Sequence, residues 1–127
     1  MGAMVFLTAC VLFITFLARA RAVKSGALKM SYFKDFSGGT PPEDMVKADN
    51  HFRNLFELPV LFYAGCLAAM ILRMEGWLLM TCAWIFVVAR AAHAAIHIGS
   101  NNVRLRMTTY AVGWLAVLGI WIGLLAP

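Results

Sequence analysis

Asn54, Glu57, Arg90, His93, His97 and Arg106 are polar or ionisable side chains placed inside, or at the mouths of, strongly apolar segments. Burying such groups in hydrocarbon is costly unless they are paired or used, so each is a site candidate. The densest run is Asn50-His51-Phe52-Arg53-Asn54-Leu55-Phe56-Glu57-Leu58-Pro59, which leads straight into the apolar residues 60–72. On a helix, Asn50, Asn54 and Glu57 fall at i, i+4 and i+7, with Arg53 one turn before Glu57, so the four crowd one side. Arg90, His93, His97 and Asn101 repeat the pattern at i, i+3, i+7 and i+11 among Ala, Ile and Val. Two polar stripes on apolar helices should face each other or a shared cavity.

Glu57 and Arg90 lie at similar depth, roughly 10 to 14 Å from the same ends of their helices at about 1.5 Å per residue, and are predicted to form a buried ion pair. Such a pair either fixes helix register or serves a ligand, and the residues leave both open. Removing one partner costs on the order of 3 to 5 kcal/mol, because the other charge is left alone. Arg53, Asn54, His93, His97, Arg104 and Arg106 are donors in excess of any evident partner, and a pocket lined by Arg, Asn and His suits an anionic ligand. His93 and His97 at i and i+4 cannot be opposite axial ligands of one haem. A zinc site would want a third ligand, for which Glu57 is the nearby candidate, and no metal is assigned. Cys10, Cys66 and Cys82 lie singly in apolar stretches and read as packing residues.

The elements that must position these groups follow from composition. Of 127 residues, 62% are hydrophobic and 13% charged. Four apolar stretches, at residues 2–18, 55–72, 77–98 and 107–126, are each long enough to cross a hydrocarbon core of about 30 Å. None alternates with the period of two that a β-barrel requires, so the expected fold is an all-α membrane protein, a four-transmembrane-helix bundle in one domain spanning 1–127. The breaker Gly38-Gly39-Thr40-Pro41-Pro42 followed by Glu43-Asp44 marks the acidic first turn of a new helix, so the second helix begins well before its apolar part. Pro59 should kink that helix beside the polar cluster. Tyr32, Phe33 and Phe36 among lysines suggest that the long first connection lies on the membrane surface. Gly119 and Gly123 form a GxxxG that permits close helix contact.

The net charge of +5 could suggest a nucleic-acid binder, but its placement argues for a membrane. Arg19, Arg21, Lys24, Lys29, Lys34 and Lys47 fall between the first two helices and Arg104 and Arg106 between the last two, while the middle turn holds only Arg73 beside Glu75. The positive-inside rule then places the first and third loops in the cytoplasm and both termini outside, with no role for nucleic acid. No positive residue precedes the first apolar core, which reads as a retained anchor and not a signal peptide. Small multidrug exporters also have four short helices, but they depend on an acidic residue deep in the first, where this chain has none.

Three local signatures resemble the membrane-associated proteins in eicosanoid and glutathione metabolism, the MAPEG family, and the likeness spans nearly the whole chain. Asn54-Leu55-Phe56-Glu57-Leu58-Pro59 is similar to the family's Asn-x-x-Glu followed closely by proline. Arg90-Ala91-Ala92-His93-Ala94-Ala95-Ile96-His97 looks like its Arg-x-x-(His or Tyr)-x-x-x-(Tyr or His), and Arg106-Met107-Thr108-Thr109-Tyr110-Ala111-Val112-Gly113 like its Arg-x-x-x-aromatic-x-x-Gly. The compact form looks most like the bacterial branch, resembling microsomal glutathione transferase, which implies a bacterial inner membrane.

The resemblance implies a homotrimer among membrane lipids, with glutathione as co-substrate held between subunits near the cytoplasmic side. It implies that Arg106 faces the glutathione sulfur as the catalytic group, and that Arg53, Asn54, Glu57, Arg90, His93, His97 and Arg104 hold the rest of the peptide. The thiolate would attack a lipophilic small-molecule electrophile or reduce a lipid hydroperoxide. The chain departs from the eukaryotic enzymes at Asn50, where they place an arginine, and at His97, which is often tyrosine there. The family also includes members that bind lipids without catalysis, so a non-catalytic lipid-binding or partner-binding protein on the same scaffold is the alternative.

Overall fold

The computed structural model describes residues 1–125. They form α1 (Gly2–Lys24), α2 (Tyr32–Asp35), α3 (Glu43–Asn54), α4 (Leu58–Ile71), α5 (Trp77–Ile98) and α6 (Val103–Leu125), and among the described residues there is no strand. Four units are long and apolar enough to cross a bilayer: α1, α3 together with α4, α5 and α6. This is an all-helical, multi-pass integral membrane protein. Between 22% and 33% of each span is buried within the bundle, so most of the apolar surface, including Phe13, Phe16, Trp84, Val88, Leu115 and Ile122, points outward. Lipid is the solvent that tolerates such a surface, because apolar side chains facing acyl chains remain out of water.

α5 matches its predicted span, whereas the other boundaries shift for local reasons. α1 continues past residue 18 because Arg19, Arg21 and Lys24 are good helix formers, and Arg21 and Lys24 in its last turn complement the carbonyl end of the helix. α6 starts at Val103, not 107, which moves Arg104 and Arg106 from a loop into its first turns. The predicted last residue of that helix, Ala126, lies outside the described residues.

The expected kink at Pro59 is a complete break. α3 starts at Glu43, as expected, and stops at Asn54, after which Leu55, Phe56 and Glu57 leave the helical path. α4 then restarts with Pro59 in its first turn, where a missing N–H removes no helical bond. The proline thus sits at a helix start and does not interrupt one.

α5 and α6 share the most extensive contact in the bundle, and two glycines explain why they approach so closely. A Cβ on Gly119 would come within 2.7 Å of Cys82 Sγ, and one on Gly123 within 3.1 Å of Leu79 Cδ2. The GxxxG is therefore a true contact stripe within the chain. Phe62 of α4 stacks on Phe86 of α5 with ring centroids 4.4 Å apart, at the centre of a core that also holds Leu58, Val117 and Ile120. A second cluster joins Ala18, Ala22, Leu28, Tyr32, Met45 and Ala48, so the long connection folds back on α1 and α3 and buries Tyr32. Phe36 alone of the three aromatics stays half exposed. Arg19 to Asp49, at 2.9 Å, fastens α1 to α3 at this level.

Candidate functional site

The buried face of α5 reads Cys82, Phe86, Ala89, Arg90, His93, Ala94 and His97, a helical stripe that is apolar at one end and ionisable at the other. The buried face of α3 is Met45, Ala48 and His51. These two helices pack together, but of the expected stripe Asn50, Arg53, Asn54 and Glu57 only Asn54 reaches α5, and the other three are exposed. Arg90 is fully buried and donates from Nη2 to Asn54 Oδ1 at 2.5 Å and to the Asn54 carbonyl at 3.3 Å. The helix break removes the α-helical bond that this carbonyl would receive from Leu58 and leaves it a long one, 3.4 Å, from the Glu57 N–H. Asn54 Nδ2 donates in turn to Glu57 Oε2 at 2.8 Å.

The predicted direct pair of Glu57 with Arg90 is therefore corrected to a relay, Arg90 to Asn54 to Glu57. Glu57 is exposed and is absent from the ion pairs among the described residues. A neutral amide between the two charges lets the guanidinium stay buried while the carboxylate remains at the surface, which lowers the desolvation cost of a direct buried pair. The Arg90 guanidinium also lies 5.8 Å from the centroid of the Tyr110 ring, a cation–π contact to α6.

His93 links α5 to the first turns of α6. Its Nδ1 is 3.0 Å from the Arg106 carbonyl and 3.1 Å from Thr109 Oγ1. A carbonyl can only accept, so Nδ1 carries the hydrogen, and in the neutral ring Nε2 carries the lone pair. Arg106 is half buried at the start of α6, where its Nη1 donates to Asn101 Oδ1 at 2.7 Å. Asn101 adopts the left-handed backbone, φ 52°, in the turn between α5 and α6, a conformation that asparagine tolerates better than most residues.

The sequence pattern missed His51 as a site residue, and the structure makes it central. His51 is fully buried between His93 and His97, with ring centroids 5.6 Å and 5.1 Å from theirs. The group that joins the His93 and His97 pair is thus His51, and not Glu57, the candidate that the sequence offered. A helix begun at Glu43 places Met45, Ala48, His51 and Leu55 on one face, which was the available signal. Tyr110 and Thr109 also contact site residues, as does Asn101 of the expected α5 stripe.

Asn54, Arg90, His93, His97 and Arg106 are brought together, with Glu57 at their edge. Arg53 and Arg104 are exposed and make no side-chain hydrogen bond to this group. Arg90 Nε and Nη1, Arg106 Nε, His93 Nε2, His97 Nδ1 and both ring nitrogens of His51 are buried without a protein partner. An unsatisfied buried polar group costs about 1 to 3 kcal/mol, so this concentration of them marks a place prepared for a ligand. A groove of about 1000 Å³ lies at the other end of the bundle around Met1, Arg73, Glu75 and Trp77, away from all of these residues.

The three signatures that resembled one family now form one constellation, and the family model for MAPEG matches residues 1–126. The chain belongs to the MAPEG family. No curated protein and no solved structure matches it. Membership places it among membrane proteins of eicosanoid and glutathione metabolism, and in this MAPEG protein the asparagine, arginine and histidine of the signatures lie in direct contact or one residue removed.

Proposed function

We propose that this MAPEG protein is a glutathione-dependent membrane transferase or peroxidase acting on lipophilic electrophiles or lipid hydroperoxides. The observation that carries the reading is the set of buried guanidinium nitrogens without partners, Arg90 Nε and Nη1 and Arg106 Nε. Cationic donors held out of water are suited to carboxylates and to a thiolate. In the proposed arrangement Arg106 faces the glutathione sulfur, and Asn54, Glu57, Arg90, His93 and His97 orient the peptide, with Arg53 and Arg104 reaching it from the exposed rim.

A free thiol with a pKa of about 8.5 is mostly protonated at neutral pH, and each unit of lowering by a nearby guanidinium gives nearly a tenfold gain in thiolate. The thiolate then forms a carbon–sulfur bond as the leaving group departs with its electron pair. The site lies at the end of the bundle that carries the basic connection and the α5–α6 turn, which we assign to the cytoplasm, with the termini outside. We further propose a homotrimer in a bacterial inner membrane. The exposed positions of Glu57, Arg53 and Arg104 support a ligand shared with a neighbouring subunit.

The test is thiolate absorbance on adding glutathione, and conjugation to a chloronitrobenzene, with detergent-purified wild type and Arg106→Ala. Thiolate and turnover in wild type, both reduced at least about tenfold in the variant, are expected. Full activity in Arg106→Ala removes the role of Arg106, and an inert wild type favours the non-catalytic lipid-binding alternative.

A further inference from the structure

Beside the guanidinium groups lies a cluster of three buried histidines, of which the proposed thiol chemistry uses two only to orient a peptide and the third not at all. His51, His93 and His97 are each at most 3% exposed, and each offers a ring nitrogen such that these three atoms all lie within 4.8 Å of one another. Burying three imidazoles together has no hydrophobic rationale, since their polar nitrogens gain nothing from an apolar environment. Four of these nitrogens, both of His51, Nε2 of His93 and Nδ1 of His97, are buried and have no protein partner.

We propose that His51, His93 and His97 bind a divalent transition metal ion of the kind imidazole prefers, zinc being the reference case. This inference does not rest on the glutathione reading. His93 and His97 stand at i and i+4 on one face of α5, a spacing at which two histidines share one zinc ion. His51 approaches from α3 as the third ligand, and α3 and α5 are two separate rigid elements that the metal would join.

The hydrogen bond behind His93 agrees with this assignment. The Arg106 carbonyl holds the hydrogen on His93 Nδ1, at 3.0 Å, and so presents the lone pair of Nε2, the nitrogen without a protein partner. A backbone carbonyl behind a ligating histidine is a recurrent way to fix tautomer and ring orientation. Closure is modest. Metal–nitrogen bonds of about 2.0 to 2.1 Å in a tetrahedron place ligand nitrogens about 3.3 Å apart, so the rings must draw in by about 1 Å, within reach of small side-chain rotations.

Charge decides the fourth position. Three neutral imidazoles leave the full charge of a dication, and the guanidinium groups of Arg90 and Arg106 belong to the same group of residues. Glu57 offsets part of the Arg90 charge through Asn54, but Arg106 has a neutral partner only. A dication beside these cations requires an anion as fourth ligand, and the free Nε–H of Arg90 and of Arg106 supply donors for it. The site therefore takes a metal with a small anion such as hydroxide, an open coordination position and not a closed structural one.

The test uses the full chain in detergent without a polyhistidine tag, stripped with chelator and titrated with cobalt(II) and zinc(II). The expected result is one metal per chain, with cobalt showing the intense visible bands of tetrahedral coordination and azide shifting them. His51→Ala should weaken binding by more than the roughly 10- to 100-fold lost on removing a group that only hydrogen-bonds to a ligand. His51→Cys should retain the metal and add a sulfur-to-cobalt charge-transfer band, a signature that needs the residue at the metal and not merely a folded protein. Binding of equal strength in wild type and His51→Ala, or no charge-transfer band in cobalt-loaded His51→Cys, overturns the site. An azide-insensitive spectrum overturns the open fourth position.

Discussion

Arg90 Nη2 donates to Asn54 Oδ1 at 2.5 Å and, across the helix break, to the Asn54 carbonyl at 3.3 Å. One asparagine thus supplies both acceptors of a fully buried arginine on a neighbouring helix, and the break that ends α3 is what makes the second available.

Asn54→Ala removes the side-chain acceptor of a buried charge and should destabilise by about 1.5 to 3 kcal/mol, the range for hydrogen bonds to charged groups. Glu57→Ala removes only the exposed end of the relay and should cost much less. Thermal unfolding of both variants in the same detergent compares them. A larger loss for Glu57→Ala would mean that the carboxylate, not the amide, holds Arg90.

Close approach of α5 and α6 depends on Gly119, whose added Cβ would meet Cys82 Sγ at 2.7 Å. Gly119→Ala should destabilise by about 1 to 3 kcal/mol through overpacking, and Cys82→Ala in the same chain should recover most of that loss by removing the clashing sulfur. The double-mutant cycle reads the coupling directly. Additive losses would show that the two residues do not meet.

Asn101 combines a backbone role, φ 52°, with a hydrogen bond to Arg106. Asn101→Gly keeps the left-handed turn and frees Arg106 Nη1, whereas Asn101→Ala also incurs backbone strain on the order of 1 kcal/mol. If Arg106 acts on a bound thiolate, both variants should change turnover alike while only Asn101→Ala loses stability. Turnover that follows stability would assign Asn101 to the turn alone.

The Arg19–Asp49 pair is partly exposed, with side-chain accessibilities of 39% and 13%, and so should contribute no more than about 1 kcal/mol. Asp49→Asn should lower the melting temperature slightly at low salt, and the difference should shrink near 1 M salt, where screening acts over about 3 Å. A salt-independent difference would point to the Asp49 hydrogen-bond geometry in place of its charge.

The stripe Arg90, His93 and His97 and the start of α3 at Glu43 were legible in the chain, because helical period and a Pro-Pro breaker followed by acids are local signals. The break at Leu55–Glu57 was less so. A proline five residues after an asparagine is compatible with a kinked helix or with two helices, and only packing of Leu58 and Phe62 against α5 and α6 selects the second. His51 was hidden for a related reason. Its neighbours Asn50, Arg53 and Asn54 suggested a polar face displaced from the apolar line Met45, Ala48, His51 and Leu55, and that line turned out to be the buried one.

By itself the sequence determined the solvent and the class: four apolar runs that can satisfy their backbones in lipid only as helices, and signatures in the order that MAPEG membership requires. Tertiary structure alone decided which polar groups meet. It put an asparagine between Glu57 and Arg90, and it closed His51 against His93 and His97. Helical period fixes which residues share a face. The rotation and depth at which two faces meet depend on side-chain volumes from other helices, such as the glycines that draw α6 onto α5, and no local pattern encodes them.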